Sequence, residues 1–256
     1  MNKPILKTKI ITCECKKHGE YTSKHFILEF PEAKSTEIGS SCPTCQREFE
    51  LQQERLNKQN VFEDYKSMNI EPYFYESSFD NFNAYNNELK KHLETCSTFA
   101  EKPAEKLVMI GENGNGKTHL AISILKKVGG KIYTAFEIGL KLRQSYDSKN
   151  KPEWNFLEEL STVPLLVIDE VEKVKDSEAK QNWFTYVISK RHDRFLPIIF
   201  IANCHTKADC KEKVKPCSRC LEYHLENNIL SRINENGTIM RFNSPDYREK
   251  IRADRL

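Results

Sequence analysis

Eight consecutive residues, Gly111-Glu112-Asn113-Gly114-Asn115-Gly116-Lys117-Thr118, fit the pattern G-x-x-x-x-G-K-[ST]. Such a segment constrains the fold, because it works only between a strand and a helix. Both neighbours are of the right kind. Residues 106–110 are a short apolar run of buried-strand type, and residues 119–127 continue with helical character. Glycines at 111, 114 and 116 let the backbone curl until its N–H groups face one point, and the helix N-terminus adds positive potential there. A phosphate is what this arrangement holds. Lys117 is placed to reach the β- and γ-phosphates of ATP, and the Thr118 hydroxyl to hold Mg²⁺. The expected nucleotide-binding residues are Gly111, Asn113, Gly114, Asn115, Gly116, Lys117, Thr118 and His119.

From residue 106 onward apolar runs alternate with helical segments. Expected strands lie at 106–110, 131–135, 164–168, 197–202 and 238–242, with helices near 118–128, 136–146, 177–193 and 225–234. Unalternating apolar strands suit a parallel sheet covered on both faces. The carboxyl-terminal part is therefore expected to be a doubly wound α/β domain. Upstream, residues 46–68 lack Gly and Pro and predict a connecting helix with one apolar face, which Pro72 punctuates. Another helix is expected at 86–100.

Charge excludes little. The chain has 40 basic and 37 acidic residues, a net charge of +3, so a nucleic-acid site would have to be local. No apolar stretch approaches 18 residues and no signal-peptide core opens the chain, which predicts a soluble, cytoplasmic protein without a membrane partner. Nine cysteines in such a chain point to metal or free thiols rather than disulfides.

The run 165–170 is a hydrophobic strand ending in Asp169 and Glu170. Asp169 is placed to hold Mg²⁺ together with Thr118, and Glu170 to orient or deprotonate an attacking water. An adjacent acidic pair favours hydrolysis over transfer to a small acceptor. Asn203 ends the next strand, where its amide would touch the γ-phosphate or the lytic water.

The order of motifs is phosphate loop, Asp-Glu strand, Asn strand, a Ser231-Arg232-Ile233 helix, and a last strand followed by Asp246-Tyr247-Arg248. This resembles the AAA+ ATPases of the DnaC-type replicative helicase loaders, over about residues 70–256. The stretch 77–82 is similar to that family's lead-in. Too few residues follow Asn203 for the helical lid most AAA+ proteins carry, as in this family and the related IstB-type transposition helpers. The resemblance implies a lidless five-stranded AAA+ core and assembly into homo-oligomers. Arg232 would be an arginine finger acting on the neighbouring subunit, and Arg248 a sensor within its own. It also implies single-stranded DNA as a partner, for which Lys141, Arg143 and Tyr146 are the candidates.

Two cysteine groups remain. Cys15-Lys-Lys-His18 and Cys42-Pro-Thr-Cys45 supply four ligands for a closed tetrahedral zinc site, with Cys13 as an alternative to Cys15. A structural metal would let some fifty core-poor residues fold. By analogy with the loaders, this module grips the replicative helicase. The expected organisation is a zinc domain over 1–50, a helical linker over 51–75 and the ATPase over 76–256. A second zinc is an open possibility on Cys210, Cys217, Cys220 and either His205 or His224, against free thiols or a redox pair. The predicted activity is slow, DNA-stimulated ATP hydrolysis in helicase loading. Its rivals are an IstB-like helper acting on duplex DNA, a small-molecule kinase, and a zinc-bearing adaptor that binds ATP without hydrolysing it.

Overall fold

The computed structural model describes residues 5–30, 33–39, 41–103, 106–145, 152–176, 178–212, 217–225 and 227–247. The chain divides into two compact units, one up to residue 63 and one from residue 64. In the first unit, β1 (Ile5–Cys15) turns at 16–18 and returns antiparallel as β2 (Gly19–Phe30), with Cys15 opposite Gly19 and Ile5 opposite Glu29. β3 (Ala33–Ile38) pairs antiparallel with β2, its register slipping near Leu28 and Phe30. Sequence reading gave these residues to a zinc module without foreseeing the sheet. Helix α1 (Pro43–Ser67) follows, starting on Pro43, whose missing N–H is no loss at a first helical position. It was expected to bear one apolar face. Phe49, Leu51, Leu56, Val61 and Phe62 of this helix are all exposed, and none of its residues is buried.

The second unit begins within the last turn of α1. Asn69 takes a left-handed backbone, φ 62°, and a 3₁₀ turn at Pro72–Phe74 starts the run towards the sheet. The elements are then α2 (Asn87–Glu101), β4 (Lys106–Gly111), α3 (Lys117–Val128), β5 (Lys131–Thr134), α4 (Ala135–Ser145), α5 (Pro152–Thr162), β6 (Leu166–Asp169), α6 (Glu178–Asp193), β7 (Ile198–Ala202), α7 (Leu221–His224), α8 (Asn227–Asn236) and β8 (Gly237–Phe242). The five strands form one parallel sheet in the order β5-β6-β7-β4-β8. All five predicted strands are present, as expected of an α/β P-loop core. Helix α5 was not anticipated. No helical bundle follows β8 among the described residues, which stop at 247.

Strand residues alternate between two buried layers, as a sheet covered on both faces requires. Val108, Ile110, Leu166, Ile168, Ile198 and Phe200 pack on one side, against Phe184, Val187 and Ile188 of α6. Leu107, Met109, Val167, Ile199 and Ile201 pack on the other, against Leu120, Ile124 and Leu125 of α3. Arg191 of α6 is fully buried and donates to the carbonyls of Leu160, Val163, Pro164 and Pro197. One side chain thus satisfies the carbonyls at the end of α5 and at the entries to β6 and β7. Burial lowers its pKa to about 9, so it remains charged at neutral pH.

Candidate nucleotide site and metal centre

The loop between β4 and α3 lies at the carboxyl edge of the sheet, beside β7 and β8, where open α/β sheets bind ligands. Its curl depends on glycine at two places above all. Gly116 is left-handed, φ 91°, and a Cβ there would stand 2.6 Å from Cε2 of Phe82. Gly114 has φ 75°, and a Cβ would meet the Asp246 carboxylate at 1.9 Å. The Gly114 carbonyl accepts from the Tyr247 amide at 2.9 Å, which ties the chain after β8 to the loop.

Lys117 is 4% exposed, and its ammonium donates to the carbonyls of Gly111 (2.9 Å) and Glu112 (2.6 Å) and to Asn115 Oδ1 (3.1 Å). Burial depresses its pKa, and the Asp169 charge opposes that shift. The expected Mg²⁺ pair is in contact, Thr118 Oγ1 donating to Asp169 Oδ2 at 2.9 Å. Burial raises the Asp169 pKa, while the bonds from Thr118 and from the Glu170 amide (2.7 Å) pull it down. A hydroxyl and a carboxylate side by side are hard-oxygen donors of the kind Mg²⁺ takes in nucleotide sites. Bound there with ATP, Mg²⁺ would supply charge neutralisation at the phosphates.

Glu170 sits at φ 55°, a backbone uncommon for a glutamate, and its carboxylate pairs with Lys173 Nζ at 2.7 Å. Asn203 reaches the same cleft. Both its amide N–H and its Nδ2 donate to Glu172, each at 3.1 Å, so Glu172 fixes this side chain. Sequence reading missed Glu172, although it lies only three residues beyond Asp169. Asn113, Gly114, Asn115, Gly116, Lys117, Thr118, His119, Asp169, Glu170 and Asn203 line one open cleft of about 810 Å³. Asn115 is a brace within it, its Nδ2 donating to the Phe242 carbonyl at 3.1 Å.

The lead-in segment forms a wall of this cleft. His119 donates to the Ser78 carbonyl at 2.9 Å and meets the Phe82 ring edge-on, and Lys126 donates to the carbonyls of Phe74, Tyr75 and Ser77. A smaller pocket of about 150 Å³ adjoins the loop, lined by Phe82, Tyr85, His119 and Tyr247 among others. Its flat rings suit a nucleobase. His119 was expected from its place beside the loop; Phe82, Tyr85 and Tyr247 were not assigned to the site in sequence because they lie far from the loop along the chain.

Arg232 does not line the cleft of its own chain; it lies on α8 and donates to Ser189 Oγ on α6. Arg248 and Tyr146 lie outside the described residues. Lys141 and Arg143 are both exposed, and the Lys141 ammonium lies over the rings of Tyr133 and Phe156, at 5.0 and 5.5 Å.

In the first unit, Cys15, His18, Cys42 and Cys45 bring their ligand atoms within 4.8 Å of one another. Cys15 Sγ lies 3.6 Å from Cys45 Sγ, and His18 Nδ1 lies 3.7, 3.7 and 3.3 Å from the sulfurs of Cys15, Cys42 and Cys45. Zinc bonds of about 2.3 Å to sulfur and 2.0–2.1 Å to nitrogen give tetrahedral edges of roughly 3.8 and 3.6 Å. The four atoms therefore already outline a zinc tetrahedron. Backbone N–H groups of Lys17 and His18 point at Cys15 and bring its thiol down to about 6, and those of Cys45 and Thr44 lower Cys42. His18 donates its other nitrogen to Glu48 at 3.3 Å, the outer partner a metal-bound imidazole ordinarily has. Cys13 is not in the group; its sulfur faces His25 at 3.7 Å.

A family model described as IstB-like ATP binding protein matches residues 47–253. The chain belongs to this family. It is thus a P-loop ATPase of the AAA+ class, and the cysteine-bearing residues before 47 lie outside the match. The chain is similar to the replicative helicase loader DnaC of Buchnera aphidicola subsp. Acyrthosiphon pisum (strain APS), with 25% identity over 158 residues, 55% of this chain and 64% of DnaC. It therefore spans under two thirds of that relative. It is also similar to YdaV of Escherichia coli (strain K12), with 26% identity over 167 residues, 60% of this chain and 67% of YdaV. Among solved structures, that of the DnaC helicase loader superimposes with a TM-score of 0.57 at 21% identity, covering 67% of this chain and 99% of that one. That likeness concerns the fold. No described helix is long and apolar enough to cross a membrane.

Proposed function

We propose that this IstB-family protein is an ATP-dependent loader of a replicative DNA helicase, acting in the cytoplasm. One observation carries the reading furthest: the cleft has its Mg²⁺ pair, Glu170 and Asn203 together, yet among the described residues lining it there is no arginine. Phosphoryl-transfer sites of this kind gain much of their rate from an arginine supplied in cis or in trans. Arg232, turned away from its own cleft, is the residue we assign to that role in a neighbouring subunit. Its bond to Ser189 would hold it until the subunits meet. Glu170, which pairs with Lys173, orients water once ATP is bound, and Asn203 contacts the γ-phosphate.

The remaining assignments follow from similarity to DnaC and from the module before residue 47. The zinc unit grips the helicase, the ATPase units assemble with ATP, and Arg143 contributes to a single-stranded DNA path. Arg248 serves as the sensor within its own subunit. Turnover is slow, because the product is a rearranged complex.

A second reading, a transposition helper acting on duplex DNA, is favoured by the family description alone. ATP hydrolysis by the full chain, with single-stranded or duplex DNA, separates the two. The loader reading expects stimulation by single strands that Arg232→Ala abolishes. Stimulation by duplex alone supports the helper, and activity indifferent to both DNA and Arg232 removes the trans finger.

A further inference from the structure

Between β7 and α8 the chain carries Cys204, His205, Cys210, Cys217, Cys220 and His224. Nothing in the nucleotide chemistry uses them. The backbone around four of them is pinned by its own hydrogen bonds. The His205 amide donates to the Arg219 carbonyl at 3.0 Å and the Leu221 amide to the His205 carbonyl at 2.8 Å, so that His205 and Cys220 stand side by side in a short parallel bridge. The Cys220 amide donates to the Cys217 carbonyl at 3.1 Å, closing the Cys-x-x-Cys turn. A 3₁₀ turn at Lys207–Asp209 delivers Cys210; Glu222 caps it at the Lys207 amide, and Asp209 is held by Thr206 and Arg241.

These constraints place one atom each of His205, Cys210, Cys217 and Cys220 within 4.8 Å of one another. The Cys217 sulfur lies 3.6 Å from His205 Nε2, the edge length a zinc tetrahedron of roughly 3.6–3.8 Å requires. Cys217 and Cys220 are buried, His205 and Cys210 half-buried, and four protein ligands leave no open coordination position, as in structural zinc sites. The other two candidates are otherwise engaged. Cys204 packs into the hydrophobic core with Leu221 and Leu225, and His224 donates Nε2 to the Ser218 carbonyl at 2.7 Å, bracing the turn from outside.

We propose that His205, Cys210, Cys217 and Cys220 hold a structural zinc ion of their own within the ATPase unit. It stands whether or not the protein loads a helicase. The ion joins three parts of the nucleotide machinery. His205 is two residues beyond Asn203. Arg219, inside the Cys-x-x-Cys turn, pairs with Glu112 of the phosphate loop. Cys220 begins α7, whose chain continues into α8 and Arg232. Where the described residues between β7 and α8 form no long strand or helix, one four-ligand centre fixes the distance from sensor to loop to finger helix.

The test is zinc content of the purified full chain by plasma mass spectrometry. The expectation is about two zinc per chain in the wild type and about one in C217S/C220S, with C42S/C45S also at about one. One zinc in the wild type that C217S/C220S retains would overturn the site. Should that variant fail to fold, Co²⁺ substitution of the wild type decides. Two Cys₃His centres give twice the sulfur-to-cobalt charge-transfer intensity per chain of a single one, and an intensity matching one centre would refute the proposal.

Discussion

Asp169→Asn is expected to make the protein more stable and catalytically silent. The carboxylate is buried, and burial raises its pKa against the donors that favour its charge. Its folded form therefore holds a proton more tightly than the unfolded chain, so its contribution favours folding below the ordinary carboxylate range and is lost as pH rises through the raised value. At neutral pH the charge is a liability. Asparagine removes it without orphaning a hydrogen-bond partner, although the buried Lys117 ammonium loses a charge that opposed the lowering of its pKa. Its Oδ1 still accepts from the Glu170 amide, and its Nδ2 donates to Thr118 Oγ1, which turns from donor to acceptor. Lys117 keeps its three acceptors. Relief of functional-site strain of this kind is worth about 1 kcal/mol, or about 2–4 °C in Tm for a domain of this size. Calorimetry without nucleotide should show the gain at pH 7 and a narrowing gap towards pH 4. With Mg²⁺ and ATP the order should reverse, since saturation near 100 times Kd adds about 2.7 kcal/mol to the wild type alone. Hydrolysis should fall by about 10²-fold or more. A variant less stable than wild type at pH 7 without nucleotide would refute the reasoning.

Gly116→Ala should lower Tm by several degrees and abolish binding of an ATP analogue in calorimetric titration. The left-handed backbone alone costs about 1–2 kcal/mol with a Cβ, and Phe82 must also move. Glu48→Gln should weaken zinc binding by the first unit about 10–100-fold in a chelator competition, because the partner that orients His18 is no longer charged. Unchanged affinity there would mean that the knuckles alone orient the imidazole.

Legibility in the sequence followed the range of the interactions involved. The phosphate loop, Asp169 and Asn203 were readable because each is announced by a few neighbouring residues, and an apolar strand needs only its own run to be seen. The four amino-terminal residues that the fold brings together, Cys15, His18, Cys42 and Cys45, were readable for the same reason, as two short Cys/His pairs. What escaped depends on distant partners. Arg191 looks like any helix arginine until four carbonyls from separate elements surround it. Tyr247 becomes part of the site only because β8 lies next to β4, which brings its amide to Gly114. The amino-terminal sheet escaped since β1 mixes polar and apolar residues without strict alternation. The choice between His205 and His224 could not be made from spacing, because one hydrogen bond to the Ser218 carbonyl decides it.

Lys117 has a consequence of a different sort. Its ammonium is saturated by two carbonyls and an amide oxygen of the chain itself. Those three acceptors and a phosphate would compete for the same three donors. An incoming triphosphate displaces an internal substitute, and the free energy it gains is the difference between two comparable sets of hydrogen bonds. Differences of that kind respond steeply to small displacements. A shift of the Glu112 carbonyl by a fraction of an ångström, transmitted through the ion pair to Arg219, would change nucleotide occupancy without touching the nucleotide. The lysine's own acceptors thus enter the free energy with which a triphosphate would bind.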